Sequence, residues 1–342
     1  IRLFNSKERQ FRAVIATAAC LLGIVLYFSL TYGIFTITFR EVINTLLRIE
    51  PAKEYDLLLF QFRMPRIVIA ALVGAGLGLA GVVLQGVSRN GLADPGILGI
   101  NAGAGLGIVL FLFFVQGNYT ALGWLAVLTM PLFGLAGGLG AMLLVWLFSW
   151  ENGRLNSERF LLTGIAISAG LSAASLYLTL KMNPADFHMV AVWHTGSIWN
   201  ANWEFITATL PWFVLLVPIL VCKASVLDLF QLEISSVRSL GVSVEKEQII
   251  LLLASTGLVG ACVAVAGNIS FVGLIIPHIA KRLVGIQHNR VIPTAIFLGM
   301  LLVVTADFAA KNLFAPAEIS VGIVISLLGI PYFIYLLYKA KA

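Results

Sequence analysis

Charge is what this sequence has least of. Only 11% of its 342 residues are Asp, Glu, Lys or Arg, while 60% are apolar; soluble domains carry about 25% charged residues and 45–50% apolar ones. That shortage excludes a single soluble domain, which would lack the polar surface to cover such a core. Cysteine is scarce as well. Cys20, Cys222 and Cys262 each sit alone in or beside an apolar stretch, without CxxC or metal-ligand spacing, and read as small hydrophobes. No G-x-x-x-x-G-K-[ST], H-E-x-x-H or G-x-S-x-G is present, and no nucleophile stands at a useful spacing from a base. The chain is therefore read as no enzyme, and any ATP hydrolysis belongs to another chain. The net charge of +6 does not indicate nucleic acid, because the Lys and Arg are dispersed between apolar segments.

What is present is long apolar stretches, a mean hydropathy of +0.98 and 32 glycines without a Gly-X-Y period. In a bilayer, small residues let helices approach closely. Apolar runs of about the 20 residues needed to cross hydrocarbon lie near 12–32, 64–86, 96–115, 122–148, 160–180, 205–223, 247–266, 268–284, 292–312 and 320–338. The expected fold is all-α: one polytopic membrane domain, 1–342, of about ten transmembrane helices. The first run has the basic flank of a signal peptide but is long and lacks a clear cleavage site, so a retained helix is expected. The boundary at Gly267-Asn268 leaves open a single long helix or a short re-entrant piece, since Pro277 and His278 interrupt the eighth run. Residues 31–56 include Ile37 to Ile43, an amphipathic piece too charged to cross, expected on the outer surface.

With the N-terminus inside, fifteen of the 22 Lys and Arg fall in inner segments and seven in outer ones. That is the bias of cytoplasmic N- and C-termini. One echo bears on architecture. Leu72-Val73-Gly74-Ala75 precedes Ala80-Gly81, and Leu258-Val259-Gly260-Ala261 precedes Ala266-Gly267, at equal spacing and in helices that run in opposite directions. Inverted repeats of this kind recur in transporters, although the restricted alphabet also permits a chance match.

Several connecting segments carry more information. Arg63 and Arg66 share a helix face beside Pro65 on the outer rim. They either anchor the helix at headgroups or grip the carboxylates of an external protein. On the inner side, Asn90-Gly91 forms a turn and Asp94 caps the next helix. In the largest inner loop, 223–248, Ser235 to Leu240 forms a short helix ended by Gly241. Leu229, Phe230, Leu232, Val237 and Leu240 are too apolar for an idle loop, and suit either a partner's groove or a lipid surface. Lys281, Arg282, His288 and Arg290 form another inner basic cluster, which reports topology and secondarily attracts anionic lipid. Trp193 to Trp199 suit an aromatic belt or a ligand-facing loop. His278 reads as a packed helix residue. Asp307, a carboxylate within an apolar helix, faces the protein interior or a water path.

These segments also carry a resemblance. Arg63-Met64-Pro65-Arg66, Leu72 to Ala75 through Gln85-Gly86, Asn90 to Gly99, Arg238 to Val242, Phe271 to Ala280, Ala306-Asp307, Pro316 to Ile319 and Gly329 to Phe333 run in order along nearly the whole chain. In these motifs the sequence resembles the FecCD family of ABC importer permeases, which carry ferric siderophores, haem or vitamin B12. The resemblance implies a type II importer fold with an inverted repeat and two permease subunits around one pathway. It also implies two ABC ATPase subunits, which bind the ATP and Mg, and an extracellular or periplasmic substrate-binding protein. This chain itself holds no cofactor or metal and sits in the bacterial cytoplasmic membrane.

Carried onto this sequence, the coupling loop is 226–243, with Leu232, Glu233, Val237, Arg238, Ser239, Leu240 and Gly241 meeting the ATPase. Arg63, Arg66 and Lys311 match basic positions that face the binding protein. Asn90, Asp94, His278 and Asp307 are structural or pathway candidates. Two departures stand out. Asn90-Gly91 replaces the usual Asn-Pro, and Leu232-Glu233-Ile234-Ser235 replaces a Leu-Gly-acid-acid pattern, which favours a specialised heterodimer over a homodimer. An iron(III)-siderophore is the expected cargo, with haem or vitamin B12 as alternatives. An ion-coupled secondary transporter and a purely structural anchor are the competing classes.

Overall fold

The computed structural model describes residues 2–33, 35–49, 53–115, 124–151, 154–315 and 317–340. Helix α1 (Arg2–Thr31) leads to the short α2 (Phe39–Leu46) and the single turn α3 (Lys53–Asp56). A π-helical run, Leu57–Arg63, continues without a break into α4 (Met64–Ser88). Helices α5 (Ile100–Val115) and α6 (Trp124–Ser149) follow, then a two-residue hairpin, Trp150–Glu151 with Arg154–Leu155, and α7 (Ser157–Thr179). Next come α8 (Pro184–His194), α9 (Trp203–Cys222) and two short helices, α10 (Ala224–Leu229) and α11 (Ile234–Ser239). The chain closes with α12 (Val244–Ala266), α13 (Val272–Val284), α14 (His288–Asn312) and α15 (Val321–Ala340).

Ten of these helices occupy the ten expected positions. Among the described residues seven are long and apolar enough to cross a bilayer: α1, the rod α3–α4, α6, α7, α9, α12 and α14. Helices α5, α13 and α15 are shorter. The expected span 268–284 is instead the 13-residue α13, about 20 Å long at 1.5 Å per residue. The break has a local cause. Gly267 (φ 69°) and Phe271 (φ 69°) turn the chain between α12 and α13, and a Cβ at Gly267 would lie 2.0 Å from the Trp193 carbonyl oxygen. The span expected from residue 96 likewise starts four residues later, at Ile100.

The segment between α1 and α4 is amphipathic, as its sequence predicts. In α2, Val42 and Thr45 are buried. The Thr38 hydroxyl accepts the Glu41 amide, and the Glu41 carboxylate accepts the Thr38 amide at 2.8 Å. This reciprocal cap satisfies two free helix donors, and its hydrogen bonds hold the Glu41 carboxyl below the usual range.

The two halves interlock. The central helices α4 and α12 are the best covered, with 83% of each apolar window buried, against 11% for α1 and α7. Helix α4 packs along α14, and α12 packs along α6. Counting α4 to α7 as one half and α12 to α15 as the other, the first helix of each half lies on the third helix of its opposite. The two sequence echoes fall on these seams: Gly74 abuts Gly299 of α14, and Gly260 abuts Leu135 of α6. Lipid offers no hydrophobic drive for helix association, so such seams rest on close packing of small residues.

A Cβ at Gly74 would lie 2.1 Å from the Gly299 carbonyl oxygen, whereas one at Gly91 would meet nothing within 4 Å. We expect Gly74→Val to destabilise the protein by about 3 kcal/mol or more and Gly91→Ala to change stability by less than about 0.5 kcal/mol. Thermal unfolding of both variants in detergent checks this.

Candidate coupling and docking sites

At the end carrying α10 and α11, apolar residues divide into anchors and projections. Leu227, Phe230 and Val237 are buried, while Leu232 (47% exposed) and Leu240 (62%) point outward. Helix α11 ends as its sequence predicts, with Gly241 at φ 81° and open space around it. Arg238 pairs with Glu245 at the start of α12, and the Ser239 hydroxyl donates to the Ser235 carbonyl at 3.0 Å. Glu233, Arg238, Ser239 and Gly241 are exposed beside the projecting leucines. Of the seven expected coupling residues, Val237 alone is an anchor.

The segment is tied down by groups that sequence reading passed over. Lys223 pairs with Glu247 at 2.7 Å. The Asp228 carboxylate accepts the His288 backbone amide at 2.8 Å and lies 2.7 Å from His288 Nδ1. It thereby caps the start of α14, where a negative group is favoured.

At the opposite end, the three expected docking cations have separate partners, and only Arg66 pairs with acids. Arg66 Nε donates to Asp307 at 2.7 Å and its Nη1 to Glu318 at 2.8 Å. Lys311 Nζ lies 3.5 Å from the Ser29 hydroxyl. Arg63 is turned inward and donates to the Leu30 and Phe35 carbonyls. Asp307 is therefore an interior ion-pair partner that fastens α14 to α4. Its side chain is 2% exposed and that of Arg66 12%, whereas Glu318 retains 30%.

Between the two ends, polar side chains join the halves where the short helices meet. Asn101 of α5 donates to Asn268 at 2.9 Å. Asp94 accepts Gly96 at 2.9 Å and also accepts the backbone amides of Ile97 and Leu274. It caps its own turn and, across the molecule, the start of α13. The left-handed position of that turn falls on Arg89 (φ 53°) and not on Gly91, while Asn90 accepts the Leu92 amide at 2.9 Å. His278 packs edge-on against Tyr332, with ring centroids 5.9 Å apart. Trp193, expected at an interface belt, lies half-buried against Gly105 of α5, because α8 folds back onto α5 and α7. Among the described residues no group of three or more His, Cys, Asp or Glu is placed to hold a metal ion.

Interlocked inverted halves, short helices meeting among polar residues and an apolar pair projecting from one end define a polytopic membrane permease. The chain belongs to the FecCD transport family, whose model matches residues 21–339. It is 53% identical to the iron-uptake system permease protein FeuC of Bacillus subtilis (strain 168), over 94% of this chain and 96% of that one. It is 46% identical to the iron(3+)-hydroxamate import system permease protein FhuG of the same organism, over 98% and 100%. The hemin transport system permease protein HmuU of Yersinia pestis is 34% identical over 97% of each chain. A solved structure assigned to the metal-chelate type of ABC transporter, in an inward-facing conformation, aligns with a TM-score of 0.81 at 30% identity. That alignment covers 96% of this chain and 99% of the other. The protein is thus a multi-pass permease subunit of an ABC importer and not itself an ATPase. Permeases of this family work with ABC ATPases and substrate-binding proteins.

Asp307→Ala removes the buried charged hydrogen bond but leaves Arg66 paired with Glu318, so it is expected to lose about 1.5–3 kcal/mol of stability, and Glu318→Gln, at a partly open site, less than about 1 kcal/mol. Thermal unfolding of the purified variants distinguishes the two.

Proposed function

We propose that this permease imports an iron(III)-siderophore, with the cytoplasmic side at the α10–α11 end. The observation that carries the cargo is full-length similarity, at 53% and 46% identity, to two permeases named for iron uptake and iron(3+)-hydroxamate import. The charge bias of the connecting segments supports the orientation. A chelate that shields its own metal needs a wide polar path and no metal ligands from the protein. The second permease subunit is a related but different chain, a reading supported by the altered Leu232-Glu233-Ile234-Ser235 segment.

In this reading Leu232 and Leu240 enter a groove on the ATPase, with Glu233, Arg238, Ser239 and Gly241 at its edge and Val237 holding the helix from behind. ATP-driven closure of two ATPase subunits pushes on α11, and its pairing with α12, together with the tie from α10 to α14, carries the displacement into the core. Such coupling needs two states that ATP and cargo stabilise differently. At the far end a loaded binding protein docks through its carboxylates. Arg63 and Arg66 are largely engaged within the chain, so docking proceeds by exchange: an incoming carboxylate displaces Glu318 from Arg66, with Lys311 adding a point charge. Asn90, Asp94, His278 and Asp307 keep the turn and helix seams in register along the path.

Cells lacking this chain should lose uptake of radiolabelled iron supplied as a hydroxamate or catecholate chelate and recover it on complementation. Unchanged iron uptake with loss of hemin or vitamin B12 uptake would replace the cargo. The two ends are separable. Leu240→Asp should reduce co-purification of the ATPase about tenfold while leaving binding-protein affinity unchanged. Lys311→Glu should do the reverse, weakening a salt-sensitive docking reaction. Loss of both interactions in either variant would contradict the assignment of the ends.

A further inference from the structure

Beside the tethered segment lies a cleft of about 300 Å³, walled by the end of α4, the α10–α11 connection and the turn between α13 and α14. Its lining includes Gln85, Arg89, Gln231, Lys281, Ile286 and His288, and among the described residues none of its lining side chains is acidic. The Lys281 ammonium is held by a neutral group, donating to the Gln85 side-chain carbonyl at 3.2 Å. Arg89 has no carboxylate partner among the described residues. The nearest acid, Asp228, is already committed to the His288 ring, the His288 amide and the Gln231 side chain.

His288 forms the inner wall of the cleft, held there by Asp228. Its side chain is 2% exposed, and its Nε2 is buried with no hydrogen-bond partner among the described residues. Asp228 takes the hydrogen bond from Nδ1, which leaves Nε2 of the neutral ring without a proton, so the ring walls the cleft and gives no donor to an anion. Arg89 and Lys281 line a space that has, among the described residues, no acidic side chain to pair with them.

We infer that this cleft is a binding site for a phosphate-type anion. Phosphate oxygens would accept from Arg89 and Lys281 together, and charge-assisted bonds of this kind are the strong ones. The volume suits a headgroup-sized ligand, being at the lower bound of ordinary small-molecule pockets. At the rim Ile286 is 65% exposed and Leu283 36%. A cationic cleft between helix ends with apolar side chains beside it fits the phosphodiester of an anionic lipid; free inorganic phosphate shares the same chemistry. Either occupant would tie α4 and α13 to the segment that carries α10 and α11. The inference is independent of which chelate is transported.

The test uses the assembled complex in nanodiscs containing phosphatidylcholine with or without phosphatidylglycerol, followed by native mass spectrometry. Arg89→Asn removes one charge while keeping a residue that tolerates positive φ, and Lys281→Gln keeps a donor for Gln85. Each cation near an anionic surface contributes about a fivefold factor, so the double variant should retain phosphatidylglycerol roughly 25-fold less. Arg282→Gln, whose guanidinium lies 5.9 Å from the Tyr335 ring centroid, removes a neighbouring charge outside the cleft and should retain it normally. In phosphatidylcholine alone, inorganic phosphate should raise the unfolding temperature of the unaltered complex and not of the double variant. Such a rise without selective lipid retention would assign the site to free phosphate. Equal losses in Arg282→Gln, or no response to either anion, would overturn the proposal. Retention that disappears whenever the ATPase is bound would overturn it too, by showing that an acidic side chain of the ATPase fills the cleft.

Discussion

Where two helix backbones touch, neither can carry a side chain at the point of contact. The rest of this structure depends on that constraint. Gly74 and Gly299 bring α4 and α14 together so closely that each sits against the other's carbonyl oxygen, and Gly81 meets the Gly273 backbone in the same way. Helices in lipid gain little from burying apolar surface against one another, so contact of this intimacy supplies much of what a hydrophobic core supplies in water. The seam between α12 and α6 is less tight, a Cβ at Gly260 lying 3.0 Å from the Leu135 Cα. An importer that opens alternately to two sides needs two halves able to shift about a common boundary, and seams of small residues make a smooth one.

Charge is then confined to the two ends, where it works within the chain as much as at the surface. Arg66 fastens α4 to Asp307 of α14 and to Glu318 beyond it. At the other end Asp228 fastens the α10–α11 segment to the start of α14. Helix α14 is therefore gripped at both termini, once near the cations proposed for docking and once near the segment proposed for coupling. A single rigid helix that contacts α4 along its length and both functional ends is a physical route by which events at one face bear on the other.

The interior polar residues have a related logic. Helices α5 and α13 are too short to cross alone, and their starting ends need partners that neither lipid nor their own turns provide. Asp94 supplies acceptors for the start of α13 from a loop almost 180 residues away, and Asn101 meets Asn268 across the same boundary. Polar groups of one half thus bond groups of the other across this boundary.

Much of this was legible in the chain itself. Apolar runs of bilayer length determined that the protein crosses the membrane as helices, because hydrocarbon leaves no other way to satisfy the backbone. The Gly74 and Gly260 echoes marked the repeat, and Gly241 marked the end of α11, since positive φ is cheap only without a Cβ. Only the tertiary structure decided which charges are spent internally. Nothing local to Arg63 or Arg66 distinguishes a guanidinium facing a partner from one facing Leu30 or Asp307. The same holds for Val237 among the coupling residues, for Trp193, and for the capping of α14 by Asp228 and of α13 by Asp94. Those roles depend on groups brought together from distant segments, and sequence spacing carries no information about a distance that packing alone sets.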